Sequence, residues 1–118
     1  MPRFVVLTHD HPVLHWDFMI EQGTSLRTWR LARSPDVSAP IDAEAIADHR
    51  LAYLDYEGPV SGGRGEVRRW DRGECEIIES TATRLAVRLS GERLRGVASL
   101  ERSAEGSTWC FRPRSPSN

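Results

Sequence analysis

From Val13 to Glu21 apolar and polar positions alternate: Leu14, Trp16, Phe18 and Ile20 point one way, His15, Asp17 and Met19 the other. A period of two is that of a β-strand, here with one buried face. The pattern recurs in short stretches. Phe4–Thr8 precedes it, and Leu26–Leu31 returns across the turn Gln22-Gly23-Thr24-Ser25. Later strands are expected at Glu66–Trp70, Cys75–Glu79, Arg84–Leu89, Leu94–Glu101 and Thr108–Arg112, with turns at Asp71-Arg72-Gly73, Ser90-Gly91-Glu92 and Ser103–Gly106. Strands at roughly ten-residue spacing predict a mostly β protein, a compact antiparallel β-barrel with one or two short helices on its outside. Two segments read less simply. Ile41–Asp48 combines helix-forming composition with the alternation of a strand. Asp48–Glu57 sets Leu51, Leu54 and Asp55 at helical spacing, which predicts a helical turn or two, with His49 and Tyr53 sharing a face, ended by Gly58-Pro59.

Composition narrows the picture. A chain of 118 residues supports one core, so residues 1–112 are expected to form one domain and 113–118 a flexible C-terminal tail. The sequence holds no apolar run long enough to span a bilayer, and Phe4–Leu7 is too short for a signal peptide. Cys75 and Cys110 show neither metal spacing nor a disulfide framework, so a cytoplasmic protein with free thiols is expected. The formal net charge of −1 does not mark a binder of long nucleic acid. Every basic side chain is an arginine, a planar fork suited to phosphate. Ser61-Gly62-Gly63-Arg64-Gly65 lacks a phosphate-loop pattern and reads as a connecting loop, or as backbone approaching a phosphate.

The candidate chemistry lies in Thr8–Glu21, which holds three of the four histidines. On a strand, His15 and Asp17 are same-side neighbours about 7 Å apart. His9 on the preceding segment can supply a third ligand. Two imidazoles and one carboxylate leave open positions on a divalent metal, the arrangement of a catalytic site. The competing reading is a set of solvated polar groups; the convergence of three ligand types opposite an apolar face weighs against it. His11, just before Pro12, is the outlying member.

With these motifs placed, the chain resembles the 3′-phosphoesterase domain that begins many bacterial DNA ligase D proteins. The resemblance rests on Phe4-Val5-Val6…His9-Asp10, Leu14-His15-Trp16-Asp17-Phe18, Trp29…Pro35, Asp48-His49…Tyr53…Tyr56-Glu57-Gly58, Trp70–Gly73, Gly91–Gly96 and Trp109. It implies a β-barrel, with Ile41–Ala47 as a strand, that removes 3′-phosphates and 3′-ribonucleosides from nucleic-acid ends. It implies a divalent metal on His9, His15 and Asp17: manganese first, zinc or cobalt as alternatives. It further implies that His49 and Tyr53 act in catalysis and that Arg33, His49 and Tyr53 contact the substrate phosphate. The chain departs from the family pattern at Met19 and Ile41, where basic residues are usual, and at Ala47, usually acidic. Arg30, Arg64, Arg68 and Arg69 are the candidates to replace the lost charge. Two functions follow: a metal-dependent phosphoesterase of DNA repair, or a non-catalytic module that binds nucleic-acid ends or a repair partner. A monomer is expected, with a separate ligase or repair protein as a further partner, and no membrane.

Overall fold

The computed structural model describes residues 1–114. Its strands are β1 (Arg3–His9), β2 (His15–Gln22), β3 (Ser25–Leu31), β4 (Ile41–Arg50), β5 (Gly58–Pro59), β6 (Glu66–Ser80), β7 (Arg84–Gly91), β8 (Arg95–Ser103) and β9 (Gly106–Pro113). All pairings are antiparallel, in the order β1-β2-β3-β4-β9-β8-β7-β6. Pairing of β6 back onto β1 closes the barrel, and short β5 lies on the free part of β6. Closure removes the open edges that an unfinished sheet would expose. No helix among the described residues is long and apolar enough to cross a membrane.

Alternation explains what fills the barrel. Phe4 and Val6 of β1, Phe18 and Ile20 of β2, Trp29 and Leu31 of β3 and Trp109 of β9 share one apolar cluster. Phe18 is its hub, with ring centroids 6.0 Å from Phe4, 6.2 Å from Trp29 and 5.0 Å from Trp109. An aromatic side chain so placed is worth about 3–5 kcal/mol against truncation to alanine. The Trp109 indole donates to the Pro35 carbonyl at 3.2 Å, which pins the loop between β3 and β4 to this core.

The opposite faces of β1 and β2 are not solvated. Val5, Leu7, Met19, Leu26, Leu54 and Val67 form a second cluster outside the barrel, with Leu51, Tyr53 and Val60 packed against it. The expectation of a single buried face on β2 is therefore corrected. The segment from Leu51 to Val60 folds over the outer face and covers it.

Other expectations change in detail. Leu14, expected on the buried face, is 55 % exposed, because β2 starts at His15 and residues 10–14 form the connection. Residues 41–50 are a strand rather than a helix, because pairing with β3, and with β9 at Ile41–Ala43, overrides their helix-forming composition. The helical part of Asp48–Glu57 is a single 3₁₀ turn, Leu51–Leu54. Asp71-Arg72-Gly73 is no turn; it lies inside the long β6, at an irregularity in the pairing with β1. Asp71 is held instead by the amides of Glu92, Arg93 and Leu94, which bridge β7 and β8. Gly73 is needed because a Cβ there would lie 2.1 Å from the Ser90 carbonyl oxygen. Of the expected tail, Pro113 still pairs with Gly96 and the Arg114 amide donates to Arg95; residues 115–118 lie outside the described residues.

Candidate metal centre and the groove beside it

The hairpin register of β1 and β2 sets His9 opposite His15 and Leu7 opposite Asp17. His9 continues the outward face of Val5 and Leu7; His15 and Asp17 continue that of Met19. The three side chains therefore meet outside the barrel, at the end of the second apolar cluster. Their ligand atoms all lie within 4.8 Å of one another. His9 Nδ1 is 3.8 Å from Asp17 Oδ2, and His15 Nε2 is 3.4 Å from Asp17 Oδ1.

Backbone carbonyls fix the histidine tautomers. His9 Nε2 lies 2.7 Å from the Arg64 carbonyl and His15 Nδ1 lies 2.9 Å from that of Val13. A carbonyl only accepts, so each of these nitrogens carries the proton. The neutral rings then present lone pairs at His9 Nδ1 and His15 Nε2, both toward Asp17. His15 and Asp17 are buried, yet His15 Nε2 and Asp17 Oδ1 have no hydrogen-bond partner. Unpartnered buried groups are costly. A divalent cation held by His9, His15 and Asp17 would satisfy both. The residues fit the group. Without it, burial depresses the His15 pKa, but the facing Asp17 carboxylate and the Val13 carbonyl outweigh burial and the Arg30 charge, so it stands above 6.5.

The glycine-rich loop is part of this construction. It delivers the Arg64 carbonyl to His9, and Asp10 Oδ1 accepts from the Glu66 amide at 2.8 Å. Gly65 has φ +75°, and a Cβ there would lie 2.2 Å from Asp10 Oδ1. Only glycine fits that approach.

A groove of about 470 Å³ opens beside the three candidate ligands. His9, His11, Asp17, His49 and Tyr53 line it, with Met19, Ile46, Val60 and Val67 as apolar lining. His49 Nδ1 donates to the Ala47 carbonyl at 3.0 Å, leaving Nε2 free, and its ring meets Tyr53 edge-on at 5.4 Å. Arg33 is exposed in the loop after β3 and is not among the lining residues. His15 is buried behind the opening. Arg30, Arg50 and Arg64 also line the groove. Arg68 and Arg69 are turned to Glu66 and Glu57 instead. Sequence reasoning did not single out Arg50; nothing but its place after His49 distinguishes it from any surface arginine.

Comparison with known proteins identifies the family. The chain is 32 % identical over 104 residues to the multifunctional non-homologous end joining protein LigD of Pseudomonas aeruginosa, covering 80 % of this chain and 12 % of that protein. It is 28 % identical over 115 residues to the LigD proteins of Mycobacterium bovis and Mycobacterium tuberculosis, covering 90 % of this chain and 15 % of each. The chain thus spans less than a sixth of the length of these curated relatives. The model of the DNA ligase D 3′-phosphoesterase domain family matches residues 7–102, and the chain belongs to that family.

Proposed function

We propose that this protein is a divalent-metal-dependent phosphoesterase that clears 3′-phosphates or 3′-ribonucleotides from nucleic-acid ends during DNA repair. The observation that carries the reading is the pair of unpartnered buried atoms, His15 Nε2 and Asp17 Oδ1, facing His9 Nδ1 at the edge of a groove lined by His49 and Tyr53. His9, His15 and Asp17 would hold the ion, which when bound supplies Lewis-acid polarisation of a phosphate oxygen and a more acidic water. Manganese is the ion this reading names first, with zinc and cobalt next. His49, anchored through Nδ1, offers Nε2 to the groove and, when protonated, gives its proton to the departing 3′-oxygen. Tyr53, braced edge-on between His49 and Tyr56, orients that ring and donates its hydroxyl to the phosphate. The apolar cluster under Met19 keeps water away from the groove floor and strengthens these contacts. The reading makes the protein a cytoplasmic monomer whose product, a 3′-hydroxyl end, is the end a DNA ligase requires.

The test is phosphate release from a 3′-phosphorylated oligonucleotide by the purified chain with manganese, cobalt, zinc or magnesium. Turnover with manganese is expected. His49→Ala should lower it roughly 10²-fold or more while leaving the metal-induced rise in thermal midpoint intact. Oligonucleotide binding with no turnover in any metal overturns the reading in favour of a non-catalytic end-binding module, the alternative that the apolar Met19 in the groove favours.

A further inference from the structure

Three arginines line the groove, and they differ in what holds them. The Arg64 guanidinium is folded back onto its own loop, donating to the Ser61 carbonyl at 2.8 Å and to the Ser61 hydroxyl at 3.3 Å. Arg50 stands at the far end of β4, paired with Ser25. Arg30 is different. In the β2–β3 register it lies directly opposite Asp17, with Glu44 on its other side. The next row on the same face is Met19, Thr28 and Ile46, and beyond it Leu26 faces His49. Arg30 is thus the groove's cation closest in register to the metal ligands.

Its donors are poorly used. Arg30 Nε is buried without a hydrogen-bond partner. Its ion pair, with Glu44 at 3.9 Å, involves a carboxylate side chain that is 70 % exposed. Such a pair adds little and is easily exchanged. Among the described residues no ion pair joins Arg30 to Asp17, although they face each other. A guanidinium with a buried, unpartnered Nε–H, beside a site suited to another cation, calls for an anion that touches both. A phosphate presents two oxygens to the fork and a third to the neighbouring site.

We infer that Arg30 is the phosphate-gripping residue of this groove, holding non-bridging oxygens of a 3′-phosphate seated above Met19 between Asp17 and His49. It supplies from β3 the positive charge that β2, with Met19 in that row, does not. The inference rests on the 3′-phosphate reading above and adds a specificity-determining residue to it.

The test is binding of a fluorescent oligonucleotide ending in a 3′-phosphate or a 3′-hydroxyl, measured by anisotropy with manganese and with chelator. The wild type is expected to prefer the 3′-phosphate. Arg30→Ala and Arg30→Gln should weaken 3′-phosphate binding roughly ten- to a hundredfold, the value of a charge-assisted contact. The 3′-hydroxyl oligonucleotide should bind as before, and the manganese-induced rise in thermal midpoint should persist. Arg30→Lys should recover part of the preference, since it keeps the charge but not the fork. If the wild type prefers the 3′-phosphate and both neutral variants keep that preference in full, Arg30 is not the grip and the functional reading stands. If the wild type shows no preference under either condition, the functional reading and this assignment fall together.

Discussion

In the proposed metal site, His15 is the residue on which proton and metal would compete. Its Nδ1–H is committed to the Val13 carbonyl and its Nε2 faces Asp17 across 3.4 Å, too far for a good hydrogen bond. Its pKa nevertheless stands above the ordinary 6.5, because the Asp17 carboxylate outweighs the burial that disfavours the imidazolium. A raised pKa in the folded state means that protonation favours folding: the metal-free protein has this contribution in full below about pH 6.5 and loses it as pH rises through the folded value. Metal binding runs the other way, since a ligand nitrogen must be deprotonated. Manganese should therefore raise the thermal midpoint more at pH 8 than at pH 6. At a hundredfold excess over Kd the gain at the higher pH is about 2.7 kcal/mol, roughly 10 °C for a domain of this length. His15→Ala should abolish that rise at both pH values. Differential scanning fluorimetry with and without chelator reads both effects, and an undiminished shift in His15→Ala would remove this residue from the ligand set.

At the scale of elements, β6 shows which features a sequence displays and which it conceals. Most strands were legible because period-two alternation and turn residues are local signals. The nearness of His9, His15 and Asp17 was legible for the same reason, since they lie on consecutive strands of one hairpin. Cover over the outer face of β2 was not, because Leu51, Leu54 and Val60 reach it from far along the chain. Nor was the role of Asp71-Arg72-Gly73, which has the composition of a turn and the structure of a continuous strand. Its aspartate serves a different turn. Asp71 Oδ1 accepts from the amides of Arg72, Glu92 and Arg93, and Oδ2 from Leu94 at 2.8 Å. Asp71→Asn keeps the shape and the first oxygen but puts an amide nitrogen against the buried Leu94 N–H. It should cost about 2–3 kcal/mol, a lost charge-assisted acceptor plus an orphaned donor, seen as a lower urea midpoint with an unchanged slope. The placement of Arg50 in the groove was equally concealed, and Arg30 was visible only as one of four candidate arginines, because an arginine on a strand alternates in the same way whether it faces solvent or a groove.

Over the whole molecule, charge bears on how the proposed site would meet nucleic acid. The formal net charge is −1, so no long-range field draws the protein to a polyanion. Away from the groove, several positive side chains are matched: Arg84 sits between Glu79 and Glu101, Arg88 faces Glu76, and Arg3 faces Glu21. These pairs add little stability at an exposed surface, but each carboxylate offsets the positive charge beside it. On the proposed reading, Arg30, Arg50 and Arg64 in the groove would meet two or three phosphates of a strand end. Counterion release then sets the salt response. For a single strand contacted at two or three phosphates, log Kobs against log salt should fall with a slope of about −1.5 to −2. If contact is confined to the groove, extending a 3′-phosphorylated oligonucleotide from about five to about twenty nucleotides should tighten binding less than about threefold. Anisotropy titrations across 50–300 mM salt, with oligonucleotides of several lengths, measure both quantities. A slope near −5, or affinity that climbs steadily with length, would mean that nucleic acid runs along the barrel surface past its ion pairs, and that the protein recognises strands rather than ends.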